Sequence, residues 1–199
     1  IKKDLKILKK SKKVDFVYIP KFKDIYKDKK KSKIKLQKKD KILCAKFRKG
    51  HFEGVLNVMN RLMYIVKSKD IFMGEKDYQQ LYLIRKFLSK KYNVRINSCP
   101  TIRTANKIAL STRNKLLKKS FIKKASEIAV KLYKLKRLSR TDKSVNLSKY
   151  KDEFENKFKI KIDYLEFRDE KKLQLNNFKS KYRLFIAYYI NGVRLIDNF

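Results

Sequence analysis

Residues 70–99 read DIFMGEKDYQQLYLIRKFLSKKYNVRINSC, and this stretch decides the fold. Asp70–Met73 is a short, buried-type apolar run. Gly74-Glu75-Lys76 interrupts it as a tight loop. Over Tyr78–Lys90 the residues Leu81, Ile84, Arg85 and Leu88 recur at helical spacing. Val94–Cys99 is a second strand candidate, closed by Pro100. Strand, crossover helix and strand of this length predict a parallel sheet covered by helices.

Upstream, Phe52, Val55, Leu56, Met59, Leu62, Met63 and Val66 also keep helical spacing, so Phe52–Val66 is expected to be a helix. Residues 2–12 read as a short helix with Leu5 and Leu8 on one face. Val14–Ile19 is a β-rich run stopped by Pro20. Lys27–Lys41 is dense in lysine, and Ile34 and Leu36 alternate with lysines there as in an exposed strand or hairpin arm.

Downstream the pattern changes, and a boundary falls near Ile102, dividing the chain into 1–102 and 103–199. A loop leads to helices over about Ile122–Lys136 and Leu147–Phe158. Strands are expected over Ile160–Phe167, Tyr182–Ile190 and Val193–Ile196. Asn191-Gly192 joins the last two as a hairpin, because a type I′ turn needs φ > 0 at both central residues. The second half is therefore α+β with an antiparallel sheet, and the whole chain is α/β in class.

The chain has 199 residues, of which 43% are hydrophobic, enough for a core. Its apolar runs are too short to span a membrane, so no membrane partner is expected, and no signal peptide is visible. There are 56 Lys+Arg against 19 Asp+Glu, a formal net charge of +37, which alone suggests binding to nucleic acid. Lysine far outnumbers arginine and is spread over the polar positions of the whole chain, which equally fits a lysine-biased solvated surface. Cys44, Cys99 and the single histidine His51 cannot make a four-ligand zinc site. Two unpaired thiols without a signal peptide fit a reducing cytoplasm.

Three segments carry candidate chemistry. Gly74-Glu75-Lys76-Asp77 lies at the carboxyl end of a parallel strand and at a helix start, where N–H groups and Lys76 can hold a phosphate. The same residues also fit a plain helix cap, with Asp77 and Gln80 as a capping box. Ser111-Thr112-Arg113-Asn114 offers two hydroxyls and a guanidinium to an anion, and fits a helix-start cluster equally well. Arg48-Lys49-Gly50-His51-Phe52-Glu53-Gly54 places the lone histidine at a helix start, where a structural role is the simpler reading. With only four glycines, Gly50, Gly54, Gly74 and Gly192, each is expected to answer a backbone demand. No Walker-type loop and no Ser/His/Asp or Cys/His set is present.

Taken together, GHFEGV, MGEKDYQQLYLIRKF, CPTIRTANKIALSTRN, DYLEFRD and NGVRLIDN, in that order, resemble the successive signature segments of the pantothenate synthetase (pantoate–β-alanine ligase) family. The resemblance runs from about Asp4 to Asn198. It implies part of a Rossmann-like nucleotidyl-transferase domain followed by a small α+β lid-like domain, usually in a homodimer. It also implies ATP and Mg²⁺, with pantoate and β-alanine joined through a pantoyl adenylate, AMP and pyrophosphate being released.

By position, the resemblance makes Gly74, Glu75, Lys76 and Asp77 an ATP-contacting loop, with Lys76 on a phosphate. Gln80 would bind pantoate, Ile102 would lie beside the adenine, and Leu110, Ser111, Thr112 and Arg113 would form a mobile phosphate loop. Lys76 and Arg113 are the catalytic candidates; no metal ligand is assigned.

Thr112 stands where the family has a second serine, and Asn106-Lys107 replaces an Asp-Gly pair. The family's early His-x-Gly-His segment is missing, so the sequence is expected to be an incomplete fragment holding half a nucleotide site, inactive alone. A basic nucleic-acid-binding protein without enzymatic activity is the alternative, and an inactive relative keeping the dimer scaffold is a third. Joint retention of Lys76, Gln80, Ser111 and Arg113 argues against the third.

Overall fold

The computed structural model describes residues 1–26, 34–176, 178 and 180–199. They fall into two compact units, Ile1–Lys33 and Ile34–Phe199.

In the first unit, α1 (Lys2–Ser11) ends where Lys12 turns left-handed at φ 52°. Val14–Ile19 forms no strand: Phe16 is 93% exposed, and the backbone has no ladder partner among the described residues. A β-rich composition alone cannot make a strand, because each backbone N–H and C=O needs a partner. The short helix α2 (Phe22–Ile25) follows, with the Asp24 carboxylate accepting from the Lys21 N–H at 2.8 Å.

The second unit begins beyond residues 27–33, so the first part of the lysine-rich run lies outside the described residues. Its remainder is not an exposed strand. Leu36 is buried in the core and Lys38–Asp40 is a 3-10 turn. Helix α3 (Leu43–Phe47) leads to α4 (His51–Val66), which starts after Gly50 at φ 76°. Strand β1 (Asp70–Gly74) pairs in parallel with β2 (Arg95–Cys99), as expected, with Gly74 opposite Cys99.

The connecting helix runs as α5 (Tyr78–Ile84), a π-turn (Arg85–Ser89) and α6 (Lys90–Tyr92), ending at a left-handed Asn93. Leu81, Leu83, Ile84 and Leu88 are buried on its inner side. Replacing one such leucine by alanine costs about 2–5 kcal/mol. Arg85 tethers the helix to β2 by donating twice to the Ile96 carbonyl, at 3.0 and 2.8 Å.

The later part holds α7 (Lys119–Thr141), α8 (Leu147–Phe158) and the antiparallel sheet β3 (Lys161–Asp169), β4 (Tyr182–Ile190), β5 (Val193–Asn198). Helix α7 outruns the expected span at both ends. Asn146 caps α8, its Oδ1 accepting from the Lys149 N–H at 3.1 Å. Asn191 and Gly192 have φ 48° and 72°, the type I′ hairpin.

Strand β4 shows why its sequence, YRLFIAYYI, is almost wholly apolar. Phe185 and Ala187 join one core with Leu56, Leu81 and Ile84. Leu184, Ile186, Tyr188 and Ile190 join the other with Ile128, Leu132 and Phe154. A strand buried on both faces has no polar alternate positions. The sheet therefore packs onto the parallel unit, and this brings β5 to the loop after β1.

Candidate active site

The candidate site forms at the carboxyl ends of β1 and β2. After Gly74 the chain makes a 3-10 turn over Glu75–Asp77 and enters α5. Gly74 has φ −68° and open space where a Cβ would stand, so the protein's own backbone does not require glycine there. Gly54, likewise, has room for a Cβ and no positive φ, whereas Gly50 and Gly192 are left-handed. Space above Gly74 leaves its backbone open to close approach by a ligand. Asp77 makes no side-chain cap, so the capping-box reading fails; its carboxylate instead lies 3.4 Å from the Lys76 ammonium.

Strands β4 and β5 hold this turn in place. The Asn198 amide donates to the carbonyls of Glu75 at 2.8 Å and Lys76 at 3.0 Å. Arg183 donates to the Glu75 carboxylate and to the Asn198 side-chain oxygen, both at 3.0 Å. Its guanidinium also stacks 4.4 Å from the Tyr78 ring centre.

Two adjoining clefts open around Lys76. One, of about 410 Å³, is lined by Lys76, Asp77, Gln80, Arg48, His51 and Tyr164, among others. The other, of about 380 Å³, is lined by Lys76, Ser111, Arg113 and Asn114 together with Ile196 and Asp197. Lys76, Ile196 and Asp197 belong to both. The fold thus brings the 74–80 and 111–114 segments to one place.

Segment 111–114 is itself a short 3-10 turn. The Ser111 hydroxyl accepts from the Arg113 N–H at 3.3 Å, so the cap reading holds there. Asn114 donates to the Ala109 carbonyl at 3.0 Å, and Arg113 donates to the Arg194 carbonyl at 2.8 Å. Ile102 and Leu110 line neither cleft. They are exposed neighbours on a small hairpin, where the Leu110 N–H donates to the Ile102 carbonyl at 2.9 Å. Thr112 is exposed, and Glu75 faces Arg183 rather than either cleft.

Arg48 and His51, which local reading left as parts of a helix start, reach the first cleft from the α3–α4 junction. Burial is the main cause that lowers the His51 pKa from 6.5, and Arg48, Arg113 and Arg194 lower it further. Burial likewise lowers the Arg48 pKa. Asp77 opposes these shifts without cancelling them, so the lowered pKa leaves the histidine neutral at neutral pH. Arg194 is held by the Asp163 carboxylate at 2.8 Å and lies 3.4 Å from the Cys44 sulfur.

Among the described residues no group of three or more His, Cys, Asp or Glu side chains stands ready for a metal. The nearby carboxylates face cations: Asp77 faces Lys76, Glu75 faces Arg183, and Asp197 faces Arg103. The residues present do not by themselves fit a magnesium site.

Two parallel strands that open at their carboxyl ends onto a cationic cleft define a nucleotide-type α/β protein. Comparison with known proteins sharpens this. The pattern of the pantoate-beta-alanine ligase family matches residues 1–199. A pantothenate synthetase of Flavobacterium psychrophilum is 36% identical, the match covering 92% of this chain and 67% of that protein. One from Francisella tularensis subsp. novicida is 38% identical, covering 100% of this chain and 69% of that protein.

Among solved structures, the Francisella tularensis pantoate-beta-alanine ligase, complexed with beta-gamma ATP and beta-alanine, superposes with a TM-score of 0.77 at 37% identity. That match covers 100% of this chain and 69% of the other. Pantothenate synthetase from Thermus thermophilus gives a TM-score of 0.86 at 25% identity, covering 100% and 73%. The chain belongs to the pantoate–β-alanine ligase family, whose members are ligases.

Proposed function

We propose that this protein joins pantoate to β-alanine at the expense of ATP, through a pantoyl adenylate. The pantoate carboxylate attacks the α-phosphorus and pyrophosphate leaves. The β-alanine amine then attacks the acyl carbon and AMP leaves. Lys76 and Arg113 stabilise charge on the phosphates, assisted by Ser111 and Thr112. Gln80 binds pantoate, and Arg48 with neutral His51 completes the same cleft. Gly74, Glu75 and Asp77 shape the nucleotide loop, and Ile102 with Leu110 flanks the adenine.

The observation that carries this reading is the sharing of Lys76 between the cleft holding Gln80 and the cleft holding Arg113. A carboxylate and a phosphate chain meeting at one lysine is the geometry in-line transfer needs. Residues 1–102 are assigned to the nucleotide side and 103–199 to the lid side. Magnesium would enter with the nucleotide phosphates, which is its usual mode. A homodimer in a reducing cytoplasm is part of the same proposal.

The test is pantoate-dependent exchange of labelled pyrophosphate into ATP. Lys76→Ala should lower the exchange about 10²–10³-fold. Exchange unchanged by that substitution would overturn the assignment of the loop.

A further inference from the structure

We infer that a separate cationic cleft, walled by α7 and by Arg103 and Arg183, binds a di- or triphosphate group. This open cleft of about 1020 Å³ meets the Gln80 cleft only at Asn198. Its charged lining is Arg103, Lys136, Arg137, Arg140 and Arg183 against the single carboxylate of Glu75.

The residue choice is selective. Arginine supplies 11 of the 56 basic residues of the chain, yet four of the five cations here are arginine. A lysine-biased surface does not produce that ratio. Arginine is the side chain whose planar fork grips phosphate oxygens in pairs.

The cleft is also built. Arg103 is fixed by both oxygens of Asp197, at 2.7 and 2.8 Å, and lies 4.3 Å from the Phe199 ring centre. Arg183 is fixed by Glu75 and the Tyr78 ring. The Lys136 ammonium donates to the Tyr182 carbonyl at 2.9 Å and sits 3.2 Å from the Tyr182 ring centre. Arg137 and Arg140 have no carboxylate partner among the described residues and are exposed at the mouth, free to close on a ligand.

Lys136 and Arg140 stand four residues apart on α7, a like-charge pair that destabilises a helix by itself. Burial, and next the charge of Arg140, push the Lys136 pKa down to about 8. Glu75 and Glu170 pair with Arg183 and Asp197 pairs with Arg103, so the five cations of the lining keep an excess of positive charge centred on Lys136, Arg137 and Arg140. A carboxylate would supply one charge; a polyphosphate supplies several.

The experiment titrates inorganic tripolyphosphate into the full protein by calorimetry. Lys76→Ala serves as background, to remove binding at the first site. This protein should still bind tripolyphosphate. Adding Arg137→Ala and Arg140→Ala should weaken binding about tenfold or more, while adding Lys119→Ala and Lys123→Ala on the same helix should change it less than about twofold. Equal weakening by both pairs would mean general charge attraction and would overturn the site, as would no weakening by either. Independently, tripolyphosphate should raise the Lys136 pKa above its value of about 8. An unmoved Lys136 titration would also overturn the proposal.

Discussion

The loops at 74–77 and at 111–114 face the same lysine-centred region but are held in opposite ways. The first is fixed from far away in sequence. Arg183 and Asn198 reach it across 108 and 123 positions. The second is fixed mostly by itself, through the Ser111 cap and the bond from Asn114 to Ala109, with Arg113 to Arg194 as its long tie. A loop clamped by another sheet has one geometry, set by the whole fold. A self-capped turn keeps its shape locally and can move as a piece. The first arrangement suits a group that must be placed accurately, the second one that must close.

The strongest way to break this contrast is Asn198→Ala. It removes both donors to the loop carbonyls, and a displacement of about 1 Å at a reacting group costs about 10²-fold in rate. We expect kcat for pantothenate formation to fall by about that much, with the fold retained by circular dichroism. Ser111→Ala should be milder. It loses a cap worth about 1 kcal/mol, and kcat should fall less than about tenfold. If the two substitutions cost the same in steady-state kinetics, the contrast between the loops is wrong.

Titration of His51 sharpens the picture of the region between the loops. It is the single histidine, so its ring protons give one NMR curve. Burial lowers its pKa first and Arg48 second, so Arg48→Ala should raise it toward 6.5. In the sign of the linkage, a histidine with a lowered folded pKa binds fewer protons folded than unfolded. Its contribution to stability is complete above pH about 6.5 and is lost as pH falls toward the folded pKa. Arg48→Ala should shrink that loss, measured by urea unfolding across this range.

The smallest effect is expected at the opposite end of β1, as a control. There Asp70 accepts from Arg95 and Asn97, which lower its pKa to about 2. Arg95→Ala should return it toward the ordinary carboxylate range of about 4, read by carbon NMR, with no change in kcat.

Much of this was legible in sequence because the signals are local. Residues 70–99 carry their own periodicity and stop signals, and Asn191-Gly192 permits little but a tight hairpin. The run at 14–19 misled because strand formation depends on a partner, which a β-rich composition cannot reveal. Leu36 misled because the lysines around it hide its anchoring in the core, which Ile34 shares. In the site, Lys76, Gln80, Ser111 and Arg113 were visible through their neighbours in sequence. Arg48 and His51 were in view within Arg48–Gly54, but nothing local shows that a helix start faces a cleft. Asn198 and Arg183 were the hardest to find, since the turn they hold lies over a hundred positions away in sequence.

The clamp also fixes an order of events in synthesis. A ribosome releases the 74–77 loop more than a hundred residues before Asn198 exists to hold it. The parallel unit can collapse early, yet its 74–77 turn stays unmoored until β5 has emerged and paired with β4. Under the proposed function, competence to handle nucleotide therefore arrives late and in one step, and a nascent chain that stalls before β5 exposes folded structure without a working site.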